Sequence, residues 1–236
     1  MTNPVPRPQL LFSQIVLRSL AVGAAYAVAS ALVAAILGPL SRLTPSLDNL
    51  LLWLITGTLV ALALAPFILH TTWSRPKTVL AAWAVLAFVR SLGLGIEGSL
   101  FKPTQALSAM VGAMLGVLVS LLVAWLSVLL LMPPGPLPQA AAAKRSRWGW
   151  TWRVLVVGLA YFVFYFVFGA TNALLYTRPF YENNPQYGLT LPPAGLIFLA
   201  QLLRGPLFGL GSLFIVLAAQ APRRRLAVWL GLLQVV

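Results

Sequence analysis

Six long runs of apolar residues, separated by short polar segments, dominate the pattern of this chain. They lie at about 17–39, 50–70, 79–101, 106–131, 151–175 and 193–218. A helix needs about 20 apolar residues to cross a hydrocarbon core about 30 Å thick, and each run meets that length. A seventh run, 226–236, rises only about 16 Å as a helix, which is half a bilayer. We expect this last run to be an interfacial piece, a re-entrant segment or part of a longer helix.

The composition agrees with a bundle of membrane-spanning helices. Hydrophobic residues make up 60% of the chain and charged residues 8%, with a mean hydropathy of +0.92. In soluble domains about a quarter of the residues are charged. We therefore predict an all-α fold in which residues 1–236 form a single transmembrane domain, a polytopic helix bundle with six spans and a short C-terminal apolar segment.

The net charge of +13 raises the question of nucleic acid, but the basic residues come in short clusters between the apolar runs. Such clusters are typical of cytoplasmic loops, which retain Lys and Arg, so nucleic acid is not an expected partner. With a cytoplasmic N-terminus, the cytoplasmic side holds Arg7, Arg18, Arg75, Lys77, Lys144, Arg145, Arg147, Arg153, Arg223, Arg224 and Arg225. The outer side then holds Arg42, Lys102 and Arg178, each near one of the three acids, Asp48, Glu97 and Glu182. This sorting predicts the N-terminus inside.

Small residues recur every four positions in three spans, a pattern that lets helices approach closely in lipid. The rows are Ser108, Gly112, Gly116 and Ser120 in the fourth span, Gly23, Ala27, Ala31 and Ala35 in the first, and Gly205 and Gly209 in the sixth. We expect these rows to pack within the chain. The third span carries Gly93, Gly95 and Gly98, a density that favours unwinding or close approach inside the membrane.

Two arginines, Arg90 and Arg204, lie in the middle of the third and sixth apolar runs. A charged side chain at this depth costs roughly 2.5 to 3.5 kcal/mol even on a lenient insertion scale. Glu97 follows Arg90 by seven residues, which is two helical turns, so the two side chains are expected on one helix face. Gln201 lies one turn from Arg204, and Asn172 is expected in the outer part of the fifth span.

These five residues leave two interpretations open. In the first, Arg90, Glu97, Asn172, Gln201 and Arg204 line an outward-facing pocket for an anionic head group or carboxylate, which the planar guanidinium suits well. In the second, the arginines bond backbone carbonyls or Glu97 and brace the bundle.

The residues that membrane enzymes use are scarce in this chain. It has no cysteine and a single histidine, His70, so we expect no metal, no cofactor and no catalytic group. The first hypothesis is therefore a non-enzymatic integral membrane subunit that packs against other membrane proteins or lipids in a larger complex. The second is a small-molecule or lipid binder, similar in helix count and Ala-rich first helix to the substrate-binding component of energy-coupling-factor importers. The third is a lipid-phosphate processing enzyme that uses Arg90, Glu97 and Arg204.

Four segments of the last third carry a resemblance. They are YFVFYFVFGA from Tyr161, TRPFY from Thr177, LPP from Leu191 and QLLRGPLF from Gln201. Together they resemble a family of uncharacterised bacterial polytopic membrane proteins. The resemblance implies a bacterial inner-membrane setting and a longer final helix, and it lends no catalytic residue.

Overall fold

The computed structural model describes residues 10–41, 46–101, 106–134, 146–184, 191–219 and 221–235. In these ranges the chain forms helices joined by short connections and no strand, with one isolated β-bridge between Thr71 and Ala219. The helices are α1 (Phe12–Ser41), α2 (Leu47–Leu69), α3 (Arg75–Val85), α4 (Gly93–Phe101), α5 (Ala106–Leu131), α6 (Arg147–Asn172), α7 (Arg178–Asn183), α8 (Ala194–Ala218) and α9 (Arg223–Val235). Two π-helical segments, π1 (Leu86–Leu92) and π2 (Ala173–Thr177), join α3 to α4 and α6 to α7.

Six stretches of the described chain are long and apolar enough to cross a membrane, which confirms the all-α class and the six long apolar helices. The third stretch runs through α3, π1 and α4, and the fifth runs through α6, π2 and α7. We call the end of the bundle with Arg75, Lys77, Arg224 and Arg225 the basic end, and the end with Asp48 and Glu182 the acidic end. Of the charged residues sorted above, Arg7, Arg42, Lys102, Lys144 and Arg145 lie outside the described residues.

Neighbouring spans run antiparallel, because as residue numbers rise along one helix, the numbers of the residues they contact fall along the other. A Cβ on Gly98 would contact Ala109, and the contact to Gly116 falls at Ser91. The span α3–π1–α4 lies between α5 on one side and α8 on the other. Helix α1 packs on α2 and α5, whereas α6 packs mainly on α8. The bundle therefore has α6 at its edge.

Small residues bring these helices together inside the chain, as expected. A Cβ on Gly205 would lie 2.6 Å from the carbonyl oxygen of Gly158, and one on Gly209 would lie 2.9 Å from that of Val154. Gly23 of α1 lies in the same way against α2, and Gly116 of α5 against π1. Apolar surface gains little by leaving lipid for another helix, so close van der Waals contact of this kind holds the spans together.

The glycines of the third span correct one expectation. Of the two outcomes expected around Gly93, Gly95 and Gly98, unwinding or close approach, the first does not occur at the glycines. All three belong to the regular helix α4, and the irregular backbone precedes them in π1. Gly95 and Gly98 instead lie against Ala113 and Ala109 of α5. Their missing side chains permit a close helix crossing, which is the other outcome that the pattern favoured.

The densest packing lies toward the basic end, where Leu64, Phe67 and Ile68 of α2 are fully buried. There the turn between α2 and α3 is tied to the end of α8, since the backbone N–H of Thr72 donates to the carbonyl oxygen of Ala218 at 2.8 Å. The seventh apolar run forms α9, a 13-residue helix that packs on α2 and α8. Its Trp229 ring lies 5.1 Å from the ring of His70 at the end of α2.

Candidate functional sites around the two intramembrane arginines

The π1 segment determines which way Arg90 faces. A π-helix bonds residue i to i+5 and so takes more residues per turn than an α-helix, and such segments often occur at functional sites. Because π1 includes Arg90, the seven residues from Arg90 to Glu97 no longer make two whole turns. Arg90 reaches Tyr26 of α1, whereas Glu97 reaches Arg204 of α8. The two side chains thus lie on different sides of the third span, contrary to the single face expected from spacing alone.

Arg204 forms an ion pair with Glu97 between α8 and α4, its Nη1 donating to Oε1 of the carboxylate. The side chain of Arg204 is 8% exposed and that of Glu97 is 31% exposed. Gly93 lies beside the guanidinium, since a Cβ there would be at contact distance, 3.5 Å, from Nη2 of Arg204. Removing one partner would leave the other charge at membrane depth, so this pair holds α4 and α8 in register.

Aromatic and amide groups complete the surroundings of Arg204. Its guanidinium lies 5.8 Å from the ring centroid of Tyr161 and 5.6 Å from that of Phe208, and these two rings stack at 4.4 Å. The hydroxyl of Tyr161 donates to the side-chain oxygen of buried Gln201 at 3.0 Å. Gln201 also accepts from Arg204 at 3.5 Å. The carboxylate of Glu97, the two rings and the amide of Gln201 together hold the guanidinium in place. Such an arrangement is typical of an arginine that stabilises the packing of its helices.

Glu97 is also open to a cavity of about 380 Å³ toward the acidic end, lined by Tyr165, Thr177 and Tyr181 among others. The carboxylate therefore has one side on Arg204 and another on a space between α4 and the continuous helix α6–π2–α7.

Arg90 lines a separate cavity of about 210 Å³ between α1, α2, π1 and α5. Its Nη2 donates to the hydroxyl of Tyr26 at 3.1 Å, and its guanidinium lies 5.4 Å from the centroid of that ring. Two buried serines of the same cavity, Ser91 and Ser120, share a hydrogen bond of 3.0 Å. This cavity joins a guanidinium and several hydroxyls at the middle of four spans.

The structure therefore divides the five residues predicted as one site. It brings Glu97, Gln201 and Arg204 together and places Arg90 at a different cavity. Asn172 is exposed at the end of α6, away from the contacts that join Glu97, Gln201 and Arg204.

Sequence reasoning missed Tyr26, Ser91, Ser120 and Tyr161. Ser120 belongs to the small-residue row of the fourth span, and Ser91 adjoins Arg90, so polarity within apolar runs was the available signal. Tyr26 and Tyr161 had no such signal, because aromatic residues are ordinary in spans.

No protein-family model, no curated protein and no solved structure matches this chain. The described residues also hold no group of three His, Asp or Glu side chains able to bind a metal ion.

Proposed function

We propose that this protein is a non-enzymatic subunit of a larger membrane complex, and that α6 is the helix that contacts its partner. One observation carries the proposal. In the most apolar stretch of the fifth span, 6% of the residues are buried within the chain, against 28% to 50% in the other five spans. Among the described residues, α6 packs mainly on α8, and Gly158 lies at that crossing.

The length of this span supports a protein partner over lipid alone. Residues 148–183 form 36 consecutive helical residues, which rise about 54 Å. The hydrocarbon core is about 30 Å thick, and about 45 Å with the head groups. The helix is therefore longer than the membrane is thick, and at its acidic end Arg178 and Glu182 form an exposed ion pair. The surplus length gives this helix a surface outside the membrane that another protein can contact.

The exposed face of α6 suits an apolar transmembrane helix as the partner. Phe164 and Phe168, one turn apart, are 60% and 66% exposed and stack at 6.0 Å. Rigid aromatic rings are common anchors of protein interfaces. Asn172, exposed one turn further on, offers an amide that can bond across helices.

The ion pair at Glu97 also favours a non-enzymatic role. A general acid or base must be available to the substrate, and one side of this carboxylate is engaged with Arg204. By the positive-inside rule, we propose that the basic end and the N-terminus lie on the cytoplasmic side. The resemblance stated above implies that the membrane is a bacterial inner membrane.

Site-directed photocrosslinking in native membranes tests this role. The chain has no cysteine, so Phe164→Cys can carry a maleimide benzophenone as the single attachment point. Val28→Cys is the matched control, since Val28 is 61% exposed on α1. We expect a discrete protein adduct from Phe164→Cys and lipid adducts alone from Val28→Cys. Lipid adducts alone from both positions, with a chain that purifies as a monomer in mild detergent, would contradict the proposal.

A further inference from the structure

We propose that the cavity at Arg90 binds a compact oxyanion, a carboxylate or a phosphate group, with Arg90 as its anchor. This inference is independent of any partner at α6. The oxyanion has two possible sources, a free small anion or the head group of an anionic lipid, and both present the same chemistry to the site.

The charge of the lining favours an anion. Fourteen described residues line the cavity, and among them Arg90 is basic and none is acidic. The carboxylate of the third span, Glu97, pairs with Arg204 toward α8 instead. Electrostatic attraction is stronger in an apolar bundle than in water, so an anion entering this cavity gains more from the guanidinium than it would at a surface. The flat guanidinium also matches two oxygens of a carboxylate or phosphate at once.

The hydroxyls of the cavity supply further donors. Tyr26 accepts a hydrogen bond from Arg90, which leaves its own phenolic proton free to donate. Of the two hydroxyls in the Ser91–Ser120 pair, one donates to the other, so the pair keeps one proton for a ligand. One guanidinium and two hydroxyl donors are a set suited to an acceptor-only group.

The backbone makes room for such a group. Gly112 and Gly116 of α5 form part of the wall, and a Cβ on Gly116 would lie 3.2 Å from the hydroxyl oxygen of Ser91. A larger residue there would press on the serine that the ligand needs. The cavity also extends toward Trp53 in the first part of α2, which is the side of the acidic end. Its volume of about 210 Å³ suits a head group or a small anion rather than a whole lipid.

Ligand-dependent thermal unfolding of the purified full chain in detergent tests the site. Sodium phosphate and sodium acetate are titrated at constant ionic strength against chloride, because a ligand that binds the folded chain stabilises it by RT ln(1 + [L]/Kd) and so raises the melting temperature as its concentration rises. We expect an oxyanion-specific rise in wild type. Arg90→Gln should weaken the fitted affinity at least tenfold, since it removes charge-assisted hydrogen bonds. Arg153→Gln, which removes an exposed arginine, should leave the affinity unchanged.

A second variant keeps the test decisive if Arg90→Gln does not fold. Ser30→Leu narrows the cavity and leaves the guanidinium in place. It should weaken the response to phosphate and acetate at least tenfold as well.

Mass spectrometry of co-purified lipid distinguishes the two sources. If the anion is a head group, wild type and Arg153→Gln retain an anionic lipid that Arg90→Gln and Ser30→Leu lose, and the salts act after delipidation. If it is a free anion, the salts act without any such lipid. The proposal is overturned if wild type shows neither response, or if folded Arg90→Gln or Ser30→Leu keeps the wild-type affinity and lipid.

Discussion

The guanidinium of Arg204 lies inside an apolar bundle, and several neighbouring groups compensate its charge. The carboxylate of Glu97 balances the charge, two ring faces cover the guanidinium and Gln201 accepts from it. Lysine would meet these partners less well, because its ammonium is a compact, strongly hydrated point charge without a planar fork. The cost of holding a cation at this depth is offset locally, by residues on three helices.

Glu97→Gln tests the weight of this pair. The substitution leaves a buried cation without its counter-charge, so the free energy of unfolding should fall by about 3 kcal/mol. Denaturant unfolding in detergent measures the change. Arg204→Leu should cost a similar amount, and the double variant Glu97→Gln with Arg204→Leu should cost less than the sum of the two.

The exposed ion pair of Arg178 and Glu182 provides the control, because both side chains are more than 60% exposed. Arg178→Gln should barely change stability, since water already solvates both charges. Equal losses from Arg178→Gln and Glu97→Gln would show that burial gives the Arg204 pair no special weight.

The two intramembrane arginines were identifiable from sequence as charges in apolar runs, but their partners were not. The sequence predicts Glu97 as a member of the arginine site, because it is the acid of the third span. Its pairing with Arg204 rather than Arg90 depends on helix rotation and on a contact 107 positions away. Apolar periodicity does not reveal that rotation, since both faces of the span are apolar.

At the scale of elements, π1 changes the rotation of the third span, so that its two charged side chains contact different helices. The segment before it faces the core, Arg90 within it faces α1, and α4 beyond it presents Glu97 to α8. A regular α-helix of the same sequence would place both charged side chains nearly above one another.

Deleting Phe88 should convert π1 to a regular helix and leave the rotation of α4 against α5 nearly unchanged, because a π-turn holds about one residue more than an α-turn and the deletion removes that residue. A cysteine pair reports this, because a Cβ on Gly98 would lie 3.1 Å from the Cβ of Ala109, near the separation that a disulfide bridges. We expect Gly98→Cys with Ala109→Cys to cross-link under mild oxidation, and the same pair to cross-link still after the deletion. Loss of the cross-link after the deletion would contradict this account of π1 as one extra residue in an α-helix.

The crossing of α6 and α8 makes a second prediction for elements. Gly205→Ala should destabilise the protein by about 1 to 3 kcal/mol, because the new methyl group meets the backbone of Gly158. Gly195→Ala in the same helix meets open space and should be neutral or slightly stabilising. Thermal unfolding of the two variants in one detergent compares them directly. A harmless Gly205→Ala would mean that α6 and α8 cross less closely.

For the whole molecule, the apolar runs predicted the number of long helices, because every helix that crosses a hydrocarbon core needs a minimum length of apolar residues. The limits of those helices were less predictable. The fifth continues through π2 and α7, where polar residues follow the apolar run and the hydropathy pattern alone indicates an end.

Cysteine labelling tests the predicted orientation of the whole bundle. Leu47→Cys lies at the acidic end and Ser74→Cys at the basic end, both at exposed positions. A membrane-impermeant maleimide applied to intact cells should label Leu47→Cys, and should reach Ser74→Cys only after permeabilisation, because basic loops stay in the cytoplasm. The reverse pattern would contradict a cytoplasmic N-terminus.

The bond from Thr72 to Ala218 has a consequence for the order in which the protein is made. These residues are 146 positions apart, and Thr72 donates to Ala218 through its backbone and its hydroxyl alike. A chain emerging from the ribosome completes its first spans long before residue 218 exists, so this turn must remain hydrated while the early helices assemble. Arrival of α8 closes the basic end, so the Thr72 contact can form only after the sixth span has been made.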